Sequence, residues 1–393
     1  MSLPEPTAAR RVSADVAVIG AGIIGCSAAA ILADRGARVI VVEGRAIGAG
    51  ASGRNLGAIQ HPFDPVLAPL YDESILRYQA LAETTASDFR IGREPAGLLL
   101  LIADPDAART RADELRRAVP DLAPEALTPE ELSELEPALA PGPGAVRLAT
   151  GYPVPPAAAT MAWADLAGER GAQFLIGTAG RPRLDDGRVT GVTLDDGREI
   201  AADAVLVAAG PWTPRLVDPS DAWQPMRPTY GVTLQLRLTD GAPTHVLEED
   251  AVEEINRADA ATAHAARAAD EGVADPPSLF SLASAAGIST LGSTFLPEEP
   301  DPARIEPLLL RRAERWMPSI ADADVVERRM CARPQSVDGR PFIGPVRDLV
   351  GLFVCTGHGP WGISTGPASA AIAARAILDG TPPPPELAAT RPI

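Results

Sequence analysis

The sequence predicts a mixed fold, α/β plus α+β, in which a parallel β-α-β unit is interleaved with a domain built on an antiparallel sheet. Three observations carry this. Residues 15–19 form a β-branched apolar run, residues 26–34 are alanine-rich with helical composition, and residues 38–42 are a second apolar run. A glycine turn, Gly20-Ala21-Gly22-Ile23-Ile24-Gly25, joins the first run to the helix, and Gly36 gives a C-cap signal before the second run. Between 228 and 295, runs such as 232–238 and 288–291 alternate with the period of half-buried strands.

The remaining elements follow in chain order. Residues 64–91 have a helical pattern, and so do 107–139, interrupted by Pro120, Pro124 and Pro129. Residues 141–156 are rich in Pro and Gly and read as an irregular crossover, and 157–170 as a helix. Residues 189–194 and 198–200 flank Asp195-Asp196-Gly197, a hairpin signal, and 204–208 is a buried-strand run ending in Ala209-Gly210-Pro211-Trp212. Residues 258–269 read as a helix and a candidate lid. The pattern then gives an amphipathic helix at 308–316, strands at 325–333 and 352–355, and a closing helix at 368–378 before a proline-rich end at 381–385.

Composition bounds the function. A chain of 393 residues suits two domains, and 46% apolar with 22% charged residues is ordinary for a globular protein. The net charge of −17 repels a nucleic-acid backbone. All 35 basic residues are Arg, so no mechanism can use a lysine amine. Cys26, Cys331 and Cys355 are too few and scattered for a disulfide framework or a zinc site, and no metal is expected. That cysteine usage, an N-terminus without a signal-peptide core and the lack of a membrane-length apolar run give a cytoplasmic expectation. The oligomeric state is left open.

The glycine turn carries chemistry. Gly20 permits the tight turn, Gly22 lets the backbone approach a pyrophosphate, and Gly25 lets helix and strand pack closely, with the helix N-terminus attracting phosphate charge. Glu43 ends the second strand 18 residues beyond Gly25, where a carboxylate accepts from ribose hydroxyls and disfavours a 2′-phosphate. This Rossmann-type motif suits NAD and FAD alike. A second loop, Gly48-Ala49-Gly50-Ala51-Ser52-Gly53-Arg54-Asn55-Leu56-Gly57, follows directly and offers N–H groups, a hydroxyl and a guanidinium to an extended anionic cofactor, which favours FAD.

These motifs, the Ala-Ala-Gly-Pro-Trp strand end at 208–212, Arg333-Pro334 with Asp338-Gly339-Arg340-Pro341 and Gly344, and Gly357-His358-Gly359 with Gly362 together resemble the D-amino acid oxidase superfamily. Glycine oxidase, sarcosine oxidase and bacterial D-amino acid dehydrogenases are the branches they are most similar to. The match runs in order along nearly the whole chain and is weak only at about 236–281. The resemblance implies a discontinuous FAD-binding domain at 14–90, 151–220 and 325–380, and a substrate domain at 91–150 and 221–324.

It also implies roles. Ser52, Arg54, Asn55 and Gly57 would lie along the pyrophosphate and flavin, with Ile23 in the N-terminal turn. Gly210 and Trp212 would pass the adenosine, and Arg181 would offer its backbone to the adenine. Gly357, Gly359, Gly362 and Ile363 would cover the pyrimidine side of the flavin, before a helix with Pro367 in its first turn, whose positive end favours anionic reduced flavin. Arg333 would grip the substrate carboxylate with its planar fork, and Tyr230 would bond the same carboxylate. His61, His245 and His358 read as loop or core residues, and no protein base is named. Cys331 stands where sarcosine oxidase-like proteins attach flavin covalently, but its surroundings resemble the glycine oxidase branch, so a non-covalent FAD is expected.

The activity implied is oxidation of the C–N bond of a small amino acid (glycine, a D-amino acid or an N-substituted one) to an imine, by hydride transfer to flavin N5. The electron acceptor would be O2, a quinone or a protein partner. Sarcosine oxidase-like enzymes use a lysine to react with O2, and its absence here tilts the expectation toward a dehydrogenase. The alternatives are the FAD-bearing subunit of an amine, proline or opine dehydrogenase complex, and a 2-hydroxy-acid oxidoreductase.

Overall fold

The computed structural model describes residues 12–84, 86–239, 241–250 and 278–392. The expected helix and lid at 258–269 lie outside the described residues. In the first sheet the strands run in the order Phe342–Pro345, Leu352–Thr356, Glu199–Val207, Val12–Ile19, Val39–Glu43, Gln173–Ile176. The last five of these are parallel, and a hairpin of Gly180–Asp185 and Arg188–Leu194 joins Glu199–Val207 antiparallel. The run at 204–208 is thus the far half of one long strand that begins at the hairpin.

Helices Ile23–Asp34, Ala68–Thr84, Pro156–Glu169 and Gly362–Asp379 cover one face of this sheet. Ile23–Asp34 is buried on nearly every side because its alanines, Gly25 and Cys26 are small enough to let neighbouring helices approach closely. Gly362–Asp379 begins six residues before the helix expected at 368, so Pro367 falls in its second turn and not its first. Lacking an N–H, Pro367 leaves the Ile363 carbonyl outside the helical ladder. The buried Tyr78 hydroxyl donates to that carbonyl at 2.8 Å.

The second sheet has eight strands, ordered Asp324–Ser336, Met226–Arg237, Ile288–Thr294, Ser278–Ala285, Val246–Glu249, Leu98–Ile102, Gly144–Leu148, Glu125–Leu127. It is antiparallel except where Val246–Glu249 runs parallel to Leu98–Ile102. Helix Pro302–Glu314 packs on one face, and Pro105–Ala118 lies against the far end.

Two expectations are corrected here. Residues 144–148, expected as part of an irregular crossover, form a strand between Leu98–Ile102 and Glu125–Leu127; the Pro and Gly signals belong to its flanks. Asp324–Ser336, whose residues from 325 were expected in the FAD-binding domain, pairs with Met226–Arg237 along almost its whole length and so belongs to the second sheet. Its backbone groups need that ladder, and nothing in an apolar run tells which sheet it will join. An isolated bridge from Gln335 to His358 then ties its end to the first domain.

Candidate active site

An elongated cavity of about 580 Å³ runs along the C-terminal ends of the parallel strands. The helix Ile23–Asp34 begins at its floor. Ala21 N–H donates to Glu43 Oε2 at 3.0 Å, Arg45 N–H to Glu43 Oε1 at 2.8 Å, and Ile23 N–H to Ser52 Oγ at 2.9 Å, which locks turn, acid and second loop together. Backbone must approach backbone here: Gly20 has φ +107°, and a Cβ on Gly25 would lie 1.9 Å from the Gly20 carbonyl oxygen.

The cavity brings together Gly20, Gly22, Ile23, Glu43, Ser52, Asn55, Gly210, Trp212, Arg333, Gly359, Gly362 and Ile363, all expected at the site. Trp212 is 53% exposed at the rim, with the Arg45 guanidinium 5.7 Å from its ring centre. His358, read from sequence as a loop or core residue, also lines the cavity. It is 1% exposed, both its ring nitrogens lack a partner among the described residues, and burial pushes its pKa down to about 3. A glycine cradle, a strand-end carboxylate and orphaned buried imidazole nitrogens along a long cleft fit a dinucleotide of the size of FAD.

Six expected residues do not line it. Gly25, Gly57 and Gly357 act behind the surface: a Cβ on Gly57 would lie 2.4 Å from Val154 O, and Gly357 turns at φ +84° against Phe342. Arg54 directs Nη1 to Met330 O at 3.2 Å. Arg181 is exposed on the hairpin, where strand alternation points it away, and Ala179 and Gly180 line the cavity instead. Tyr230 packs half-buried against the core of the second sheet and lines neither this cavity nor the next.

A second pocket of about 70 Å³ opens beside the first, sharing Asn55, Arg333, Pro360 and Ile363. Arg333 is half-buried; Nη1 donates to Thr294 O at 2.8 Å and the guanidinium lies 4.8 Å from the Phe295 ring centre. Burial lowers its pKa from the usual arginine range, and no carboxylate pairs with it among the described residues. Its side chain crosses Gly231 on the neighbouring strand, where a Cβ would lie 2.3 Å from Nη2. Gln60, Glu248, Ser281, Ser293 and Ser364 complete the polar lining. Sequence reasoning missed all of these and Gly231, since none stands in a motif; the adjacent Glu248 and Glu249 at a strand end were the one available signal.

Fold and cleft fit a dinucleotide-binding protein, and the comparisons identify its class as an FAD-dependent oxidoreductase. The model of the DAO family, FAD dependent oxidoreductases, matches residues 15–376, and the chain belongs to that family. Glycine oxidase from Geobacillus kaustophilus is 29% identical over 372 residues, covering 90% of each chain. A D-amino acid dehydrogenase of Xylella fastidiosa is 31% identical over 252 residues, 62% of this chain and 52% of that protein. The crystal structure of glycine oxidase from Bacillus cereus matches with TM-score 0.78 and 25% identity, covering 94% of this chain and 96% of the other. The protein is an FAD-dependent oxidoreductase, as the sequence motifs imply. No helix among the described residues is long and apolar enough to cross a membrane.

Proposed function

We propose that the protein oxidises the C–N bond of a small amino acid to an imine, with the substrate carboxylate held by Arg333. One observation carries this: a largely desolvated guanidinium with no carboxylate partner among the described residues lies on a small pocket beside the cofactor cleft. Leaving such a charge buried is unfavourable unless a ligand neutralises it, and the planar fork suits a carboxylate. A pocket of about 70 Å³ suits a small substrate.

Bound FAD would supply the acceptor for the two electrons and the α-hydrogen, and the imine released would hydrolyse in water. The turn at Gly20, Gly22 and Ile23 takes the pyrophosphate, Glu43 the ribose, and Ser52 and Asn55 the stretch toward the flavin. Gly210 and Trp212 border the adenosine half, while Gly359, Gly362 and Ile363 bring the N-terminal end of Gly362–Asp379 to the flavin. Three free cysteines support a reducing compartment such as the cytoplasm.

The test is an anaerobic screen for flavin bleaching with glycine, sarcosine, D-amino acids, proline, opines and hydroxy acids, followed by turnover with O2 and with a dye. Hydrogen bonds to charged groups contribute roughly 1.5–3 kcal/mol each, so Arg333→Leu is expected to lower kcat/KM by at least ~100-fold with FAD content unchanged. Arg333→Lys should recover part of the loss. Near wild-type kcat/KM in Arg333→Leu on the best carboxylate substrate would refute the anchor.

A further inference from the structure

Strand Val246–Glu249 places two consecutive glutamates on opposite faces of the second sheet. Glu249 turns to helix Pro302–Glu314, where Arg312 meets it with hydrogen bonds of 2.7 and 2.9 Å. Glu248 turns the other way, into the pocket shared with Arg333. It is 4% exposed, and among the described residues its side chain has one hydrogen bond, from Gln60 Nε2 to Oε1 at 3.0 Å. Gln60 is itself 6% exposed, and its Oε1 has no partner among the described residues.

No cation pairs with Glu248 among the described residues. The neighbouring strands put Leu100 and Ser281 beside it, and Arg333 is the other charged residue lining the pocket. A lone buried carboxylate is unfavourable unless something supplies the opposite charge. Two unpaired groups of opposite sign on one small cavity match a zwitterion.

We propose that Glu248, braced by Gln60, seats the ammonium of the substrate and so selects amino acids over 2-hydroxy acids. This rests on Arg333 as the carboxylate anchor. A hydroxyl in place of the ammonium fills the same space but leaves Glu248 without a countercharge. Burial pushes the Glu248 pKa up to about 7 in the free pocket, so the selecting, ionised form dominates above that pH. The preference for an amino group therefore strengthens as pH rises.

Perturbation of the FAD absorbance by 2-aminoisobutyrate and by 2-hydroxyisobutyrate tests this in the holoenzyme. The two ligands differ only in ammonium against hydroxyl, and neither has an α-hydrogen to lose. Wild type is expected to bind the amino acid at least ~10-fold more tightly at pH 8, a charged contact being worth one to two decades, and with a smaller margin at pH 6. Glu248→Gln should lose the preference at both pH values while keeping its FAD and its affinity for the hydroxy acid. A preference that survives in Glu248→Gln, a wild type with no preference, or loss of both ligands together in the variant overturns the seat. Arg333→Leu should weaken both ligands alike. If it weakens neither, or if wild type binds neither, the carboxylate anchor itself is wrong.

Discussion

Eight glycines bring backbone to the surface of the cofactor cleft: Gly20, Gly22, Gly44, Gly50, Gly180, Gly210, Gly359 and Gly362. The pocket beside it presents polar side chains, Gln60, Glu248, Ser281, Ser293 and Arg333 among them, with Asn55 and Ser364. A wall of peptide groups suits a long anionic cofactor, because N–H groups give many weak, fixed contacts and glycine removes the Cβ that would hold the ligand off. A wall of side chains suits a small substrate, which must be gripped by a few strong, charged contacts. The two walls should therefore fail in different ways.

The largest effect is expected at the backbone wall. A Cβ on Gly25 has to displace the Gly20 carbonyl, so Gly25→Ala should distort the turn and yield protein that binds little or no FAD. The ratio of flavin to protein absorbance after purification measures this. A fully yellow Gly25→Ala would show that the turn does not shape the cofactor cleft.

A similar steric insult at the side-chain wall should spare the cofactor. Gly231→Val would push the Arg333 guanidinium from its path, and a misplacement of about 1 Å lowers rates by roughly 100-fold. The expected outcome is normal flavin content with kcat/KM down by about that factor. Lost flavin would mean that the two cavities are not separable.

The same contrast explains what the sequence made legible. Gly20 to Gly25, Glu43 and the loop at 48–57 are contiguous, so their spacing alone describes one wall, and the helices and parallel strands around them follow from period and glycine placement. The other pocket draws on positions 60, 248, 281, 293 and 333, which meet only through strand register. Arg333 was found because it stands in a motif. Glu248 was not, and it differs from Glu249 only in the face it takes, which register decides. Register also decides that Gly231, and not Tyr230 beside it, meets Arg333.

An unpaired carboxyl should also leave a mark on stability. The folded Glu248 holds its proton up to about pH 7 against 4.5 in the unfolded chain, so the native state binds the extra proton between these values. A raised folded pKa means stability that is present below pH 4.5 and is lost as pH rises through 7. At ~1.36 kcal/mol per pH unit the loss approaches about 3 kcal/mol. Glu248→Gln, which does not titrate, should gain on wild type by about that amount between pH 4 and pH 8 in urea unfolding of the ligand-free holoenzyme. A gap that stays constant with pH would place the Glu248 carboxyl in a wet environment.

The smallest expected effect is at Cys331, which lines the cofactor cleft two residues before Arg333. Its place on the lining raises the question of whether it would react with a bound flavin. Burial pushes the thiol pKa up, and the nearby Arg333, Arg329 and Arg54 only partly offset that rise. The thiolate is the nucleophile, and a thiol kept neutral in a buried strand is inert. The cofactor is therefore expected to stay non-covalent: acid precipitation should leave the yellow colour in the supernatant, and Cys331→Ala should retain its FAD. Colour in the pellet of wild type, absent from that of Cys331→Ala, would show instead that the arginines activate the sulfur, making this one point of the cleft a side-chain contact as strong as those across the substrate pocket.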